Sequence, residues 1–253
     1  AGSSVVIDTI AEVTYPDDVV VAYTVENKTT VTVVVRDGEG NEVTDGVDVS
    51  VDGQVTISGL SAGDYSIAIS NAKEGNYDES SATAEFSVDI AGSSVTIDPI
   101  ASVTYPGDVV VAYTVENKTT VTVVVRDGEG NEITDGVDVS VDGQVTVSGL
   151  DVGDYSITIT NAKEGNYDES SATAEFTVSK LGTSLSASDL VMSYKDGSAW
   201  TVALTDANGA AIVGAVVDVG LKIYGVDKVY SLVTDNEGIV SLTINLIPGT
   251  YAV

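Results

Sequence analysis

Asp37, Glu39, Asn41 and Glu42 stand together in the turn "DGEGNE", and the same residues return as Asp127, Glu129, Asn131 and Glu132. Oxygen donors at alternate positions are how calcium loops begin, so these turns are the candidate metal-ligating residues of the chain. The pattern lacks the remainder of a twelve-residue loop and its closing bidentate glutamate, and a solvated hairpin tip is the competing reading. A second chemistry belongs to Asn27-Lys28-Thr29 and Asn117-Lys118-Thr119, two glycosylation sequons placed in turns. A third would be an intramolecular amide between a lysine and an Asn or Asp. It needs a desolvated amine beside a buried acid, whereas Lys28, Lys73, Lys118 and Lys163 all lie in polar turns. A fourth is sugar stacking on exposed rings, for which Tyr15 with Pro16, Tyr77 and Tyr167 are the candidates.

The missing residues narrow the chemistry further. The chain has no His and no Cys, so it lacks the commonest general base, the thiolate nucleophile and any disulfide framework. No G-x-S-x-G, P-loop or dinucleotide fingerprint occurs, and no catalytic residue is assigned. The reading is a non-enzymatic protein that calls for no cofactor, calcium being the one ion its acidic turns invite.

Charge points the same way. With 39 acidic and 10 basic residues the formal charge is −29, a field that repels phosphate backbones and anionic lipid heads, so no nucleic-acid partner is expected. No stretch reaches the ~18 consecutive apolar residues of a membrane helix, so no membrane insertion is expected within this segment. Any signal or anchor is expected to lie outside it.

These residues must be positioned by strands. Val, Thr, Ile and Ser dominate the sequence, and residues 1–90 and 91–180 are nearly the same text, with 13 differences such as Val43 to Ile133. A unit of that length is a self-contained domain rather than one layer of a solenoid. Within it the apolar period is two. Val19, Val21, Tyr23 and Val25 share a face, as do Val31, Val33 and Val35, then Tyr65, Ile67 and Ile69, then Ala84, Phe86 and Val88. Asp-Gly steps at 37–38, 45–46 and 52–53 supply the hairpin turns. About seven strands per unit, each with one apolar face, predict an all-β fold of tandem immunoglobulin-like β-sandwiches in an extended rod.

The phrase Leu-x-x-Gly-x-Tyr ends at Tyr65, Tyr155 and Tyr251. A Tyr two residues after a Gly at the start of the sixth strand is how a structural tyrosine corner reads, the hydroxyl bonding back to the preceding connection. Residues 181–253 differ in sequence yet repeat the strand pattern, with Trp200 expected in the core between the sheets. The domains are therefore taken as 1–90, 91–180 and 181–253, the third incomplete because its last strand is absent. Connections of two to four residues favour a semi-rigid row.

The repeat ending "GNYDESSATAEFSV" with "LxxGDYSI" before it, and the third segment "KLGTSLSASDLVMSYKDGSAWTVALTDANG" with "TDNEGIVSLTINLIPGTYAV", resemble the adhesin-like surface proteins of methanogenic archaea, which are built of tandem bacterial-type immunoglobulin-like repeats. The resemblance spans nearly the whole chain and implies an extracellular, cell-surface stalk that spaces a binding region from the cell. Its partners would be neighbouring copies or the rest of a longer surface protein, and host or cell-surface glycans. It carries over no functional residue. Relatives would continue past "GTYAV" with a further strand, which leaves two expectations open. The chain is a fragment, or its third sandwich is natively open and takes a strand from a neighbour, with Ser3, Val5, Ile7 and Ile10 as the obvious donor. A carbohydrate-binding module is a further alternative.

Overall fold

The computed structural model describes residues 2–253 and contains, among them, strands and turns only. By internal packing the chain forms two compact units. The first is Ala1–Ala101, Val109–Ser148 and Asp154–Phe176, and the second is Ser102–Asp108, Gly149–Gly153 and Thr177–Val253.

The first unit holds the whole first repeat. Its strands are β1 (Ser4–Ile7), β2 (Val13–Thr14), β3 (Val19–Glu26), β4 (Val31–Asp37), β5 (Glu42–Val43), β6 (Val47–Asp48), β7 (Gln54–Ile57), β8 (Gly63–Asn71) and β9 (Ser80–Asp89). They form two sheets, ordered β1-β3-β7-β6 and β2-β9-β8-β4-β5. In immunoglobulin lettering these are A-B-E-D against A′-G-F-C-C′, the N-terminal run crossing from one sheet to the other between β1 and β2. All pairings are antiparallel except β2 on β9, where Val13 lies opposite Val88 in parallel.

Alternation explains the core. Val19, Val21 and Tyr23 of β3, Val55 and Ile57 of β7, Val35 of β4, Ile67 and Ile69 of β8 and Val88 of β9 are buried, joined by Leu60. The residues between them in β3, Val20 and Ala22, face water. A fully buried Val or Ile contributes about 1.5–3 kcal/mol, and the inward rows of both sheets meet in one cluster. Nine strands replace the expected seven. The additional ones, β2 and β5, have two residues each, too few for alternation to reveal.

The second repeat continues with β10 (Ser94–Ile97), β11 (Val103–Thr104), β12 (Val109–Glu116), β13 (Val121–Asp127), β14 (Glu132–Ile133), β15 (Val137–Asp138), β16 (Gln144–Val147), β17 (Gly153–Asn161) and β18 (Ser170–Ser179). In the first unit β10-β12-β16-β15 repeats the order of the first sheet, and β13 lies between β14 and β17. In the second unit Val103 and Thr104 pair in parallel with Val178 and Ser179.

The second unit also holds β19 (Thr183–Ala187), β20 (Ala199–Asp206), β21 (Val216–Ile223), β22 (Val226–Val233) and β23 (Ile239–Thr243). The order β19-β20-β23 matches A-B-E, and β21 pairs with β22 as C with C′. Val202, Val217, Val219, Val240 and Leu242 make its core, with Trp200 only partly buried at the margin. The indole stays at that margin because its Nε1–H donates to the Ser188 carbonyl at 2.8 Å, an exposed contact. The fold is all-β, built of immunoglobulin-like β-sandwiches in tandem.

Candidate functional site

The acidic turn closes on itself. Asp37 Oδ1 accepts the Glu39 and Asn41 backbone N–H groups at 3.1 and 2.8 Å, and Oδ2 accepts Asn41 Nδ2–H at 3.0 Å. The Asn41 side chain, more than any other partner, holds the Asp37 carboxyl below its usual range, and Asn131 does the same for Asp127. Arg36 Nη1–H reaches the Gly40 carbonyl at 3.0 Å from across the hairpin. Among the described residues no group of three or more Asp or Glu side chains converges on one point, so Glu39 and Glu42, with Glu129 and Glu132, are not gathered around the Asp.

The sequon turn is a clamp on a buried amide. Asn71 is 0% exposed. Its Oδ1 accepts the Thr29 N–H at 2.8 Å and the Thr29 hydroxyl at 3.0 Å, and its Nδ2–H donates to the Asn27 carbonyl at 3.3 Å. Thr29 Oγ1 also reaches the Ala72 carbonyl. Asn27 adopts φ 52°, a left-handed turn that Asn tolerates, and its own Nδ2–H donates to the Gly2 carbonyl at 2.7 Å. The second repeat reproduces this with Asn161, Thr119, Asn117 and Gly92. Lys28 between them pairs with Asp52, and Lys118 with Asp142, in exposed ion pairs. Among the described residues no Asp or Glu is buried beside these amines, and the ion pairs are screened by solvent.

Tyr65 and Tyr155 of the Leu-x-x-Gly-x-Tyr phrase lie near the starts of β8 and β17, the sixth-lettered F strands, whereas Tyr251 follows the last strand, β23, and lies in none. Tyr65 O–H donates to the Ser61 carbonyl at 2.8 Å and its ring stacks on Phe86 at 5.5 Å. Burial raises the phenol above its ordinary value, with the Asp37 charge adding to this. Tyr251 O–H donates to the Ile247 carbonyl at 3.0 Å. Tyr155 is buried and stacks on Phe176 as Tyr65 does on Phe86.

The residues considered as strand donor are engaged at home. β1 pairs with β3, Val5 opposite Val25 and Ile7 opposite Tyr23. Val5, Ile7 and Ile10 pack on the first repeat's own core. Ser3 Oγ–H donates to the Asp78 carbonyl at 2.6 Å.

The feature that sequence reading missed is the joint between the two repeats, which lies within the first unit. Asn166, in the turn between β17 and β18, accepts the Ala62 N–H on Oδ1 at 2.8 Å across 104 residues. Its backbone carbonyl accepts the Ala91 N–H at 2.9 Å, and the Ala91 carbonyl accepts the Asp168 N–H at 2.9 Å. Ala91, in the connection from repeat to repeat, is 7% exposed. Tyr15 and Tyr167 meet edge to face at 5.5 Å and 86°, an arrangement that favours the pair beyond area burial. Loss of water raises the Tyr167 phenol, with Tyr15 adding to the shift. These two rings, candidates for sugar stacking, face each other rather than forming a flat platform. The only signal available in the sequence was the stretch "AKEGNYDES", identical in both copies.

Strand order, inter-sheet core and a hydrogen-bonded joint define a tandem immunoglobulin-like sandwich protein. No protein-family model matches the chain, and no curated protein is similar to it. Among solved structures, a three-immunoglobulin-domain segment of titin is 11% identical, covers 96% of this chain and 89% of its own length, and has a TM-score of 0.38. A segment of two fibronectin type-III domains from chicken tenascin is 15% identical over 67% of this chain and 97% of its own, with a TM-score of 0.35. The insect immune protein hemolin is 14% identical over 70% of this chain and 46% of its own, with a TM-score of 0.32.

Proposed function

We propose that the chain is a non-enzymatic, extracellular spacer of the adhesin-like type, whose immunoglobulin-like repeats hold a binding region at a set distance from the cell surface. The observation that carries this reading is the joint. A flexible tether needs no side chain to fasten one domain to the next, whereas here Asn166, Ala62, Ala91, Tyr15 and Tyr167 fasten the first repeat to the second. Interfaces of this kind restrict relative domain motion, the quantity a spacer must control. The residue types support the absence of catalysis, since the chain has neither His nor Cys, and the resemblance to methanogen surface proteins supports the cell-surface setting. The sequons at Asn27 and Asn117 are proposed glycan sites on such a surface.

The test is the orientation of the two repeats in solution, read from NMR residual dipolar couplings on the 253-residue chain. A spacer requires one shared alignment tensor for residues 1–90 and the described second repeat. Tyr167→Ser with Asn166→Ala should split it into two. Two independent tensors in the unaltered chain would sink the reading.

A second reading is a filament subunit joined by strand exchange. The edge of β21 favours it, because beyond β22 that strand carries one backbone bond among the described residues, Lys222 N–H to the Ala252 carbonyl at 3.2 Å. Exposed strand edges are templates for pairing. Polymers that vanish when residues 3–10 are deleted would support it, but that donor must first leave its own sheet.

A further inference from the structure

The inward row of β13 is unevenly covered. Val125 is 1% exposed, whereas Val121 and Val123 of the same row are only half-buried. Ile133, opposite Val125, and Val137, opposite Val147, are half-buried as well, and Val139 is 56% exposed. Together with Tyr113 these residues wall a groove of about 540 Å³. Strand order accounts for it. β14 ends one sheet and β15 ends the other, with no strand on the outer side of either among the described residues, and residues 134–136 carry the chain between them. The groove therefore runs between two sheet edges. Its mouth is charged: Lys118 pairs with Asp142, Arg126 faces Glu132 at 3.6 Å, and Asp135 and Asp138 stand exposed beside Val137. No lining residue takes part in the joint between the repeats. The first repeat has the same residues at the matching positions, with Val43 where the second has Ile133.

We propose that this groove is a docking site for an extended peptide segment of another protein, in which β-branched apolar residues alternate with lysine or arginine. Shape sets the apolar half of that pattern. A cleft between two strand edges takes a chain in extended conformation, and the side chains of such a chain alternate between faces. Every second residue then enters the groove and meets Val121, Val123, Ile133 and Val137, while the outer edge of β15 offers backbone groups for pairing. Charge sets the basic half. The residues between the apolar ones point back to the mouth, where Glu132, Asp135, Asp138 and Asp142 outnumber Lys118 and Arg126. On a chain of formal charge −29 a basic segment is attracted and an acidic one repelled. A second copy of this chain would bring the same excess of acid, so it is not the occupant. Both repeats carry the lining residues, and each chain offers two such sites. The repeats thus bind a partner in their own right, a role beyond spacing.

The test titrates the isotope-labelled 253-residue chain with short synthetic peptides and follows its backbone amides by NMR. One peptide alternates valine with lysine, a second valine with glutamate, and a third serine with lysine. The valine–lysine peptide should shift the amides of residues 31–52 and 121–142 saturably, and the other two should leave them in place. Val49→Ser with Val139→Ser, both at exposed positions that the fold tolerates, should weaken binding about tenfold. Asp45→Lys with Asp135→Lys, also exposed, should weaken it several-fold, and less so at high salt. Equal binding of the serine–lysine peptide overturns the proposal, since attraction to an acidic surface would then suffice. Equal binding of the valine–glutamate peptide overturns it too, because the acidic mouth would then select nothing. Shifts confined to β21 and β22 would place the peptide on another edge and overturn it. Shifts at residues 121–142 when the chain alone is concentrated would assign the groove to a second copy, with the same consequence, and so would the absence of any shift.

Discussion

The buried side chain of Asn71 holds Thr29, accepting its N–H at 2.8 Å and its hydroxyl at 3.0 Å from a strand that begins 34 residues after it. Asn71→Ala leaves the Thr29 N–H without its partner, an omission that costs about 1–3 kcal/mol for a buried donor. Urea unfolding of the first repeat should show that loss. Thr29→Val combined with Asn71→Ala should cost less than the two losses added, because both remove one shared contact. Strict additivity would mean the clamp is incidental.

Tyr65→Phe keeps the ring on Phe86 and removes the bond to the Ser61 carbonyl. A loss of about 1 kcal/mol is expected from the missing hydrogen bond, read as a shift in the unfolding midpoint. An unchanged midpoint would show that Tyr65 acts through its ring alone.

Gly46 and Gly40 both have positive φ, 75° and 86°, yet differ in surroundings. A Cβ on Gly46 would lie 2.1 Å from the Ser58 carbonyl oxygen, whereas on Gly40 it would meet nothing within 4 Å. Gly40→Ala should cost about 1–2 kcal/mol from the left-handed backbone. Gly46→Ala should cost clearly more, since the β6–β7 hairpin must also open. Equal thermal shifts for the two variants would contradict the geometry.

Acid should weaken the hairpin tips. The folded carboxyl of Asp37 is held below the ordinary 3.8, chiefly by Asn41, and Asp127 likewise by Asn131. A lowered folded pKa gives stability that is fully present above the unfolded value and lost as pH falls through the folded one. Stability should therefore decline below about pH 4, and Asp37→Asn with Asp127→Asn should flatten that decline. Hydrogen exchange at the Asn41 and Asn131 amides, followed against pH, reads it locally.

Folded protein should be a poor acceptor of an N-linked glycan. Asn27 Nδ2–H is committed to the Gly2 carbonyl and the Thr29 hydroxyl to Asn71 and Ala72. Transfer in vitro should label Asn27 and Asn117 in the denatured chain and spare them in the native one. Equal labelling, measured by peptide mass, would show the clamp to be open in solution.

Period-two alternation was enough to place the inward rows of β3, β4, β8 and β9, because a strand half-buried on one face records its orientation in every second residue. Two-residue strands such as β2 and β5 leave no such record. Asn71 ends the alternating run of Ile67 and Ile69 at an inward position, a polar residue where an apolar one was due. That mismatch was legible, but its partner was not, since nothing local ties position 71 to position 29.

The chain's composition and its duplicated text determined an all-β fold and the repeat of the sandwich, since each depends on residue type and on neighbours along one strand. The joint was decided by tertiary structure alone. Ala62 and Asn166 stand 104 residues apart and meet through a backbone N–H that every residue but proline possesses. Tyr15 and Tyr77 look equally exposed in the sequence, yet Tyr15 packs on a ring from the next repeat while Tyr77 faces water. Only the position of one repeat on another creates that difference, because identical loops acquire different surroundings from what is packed beside them.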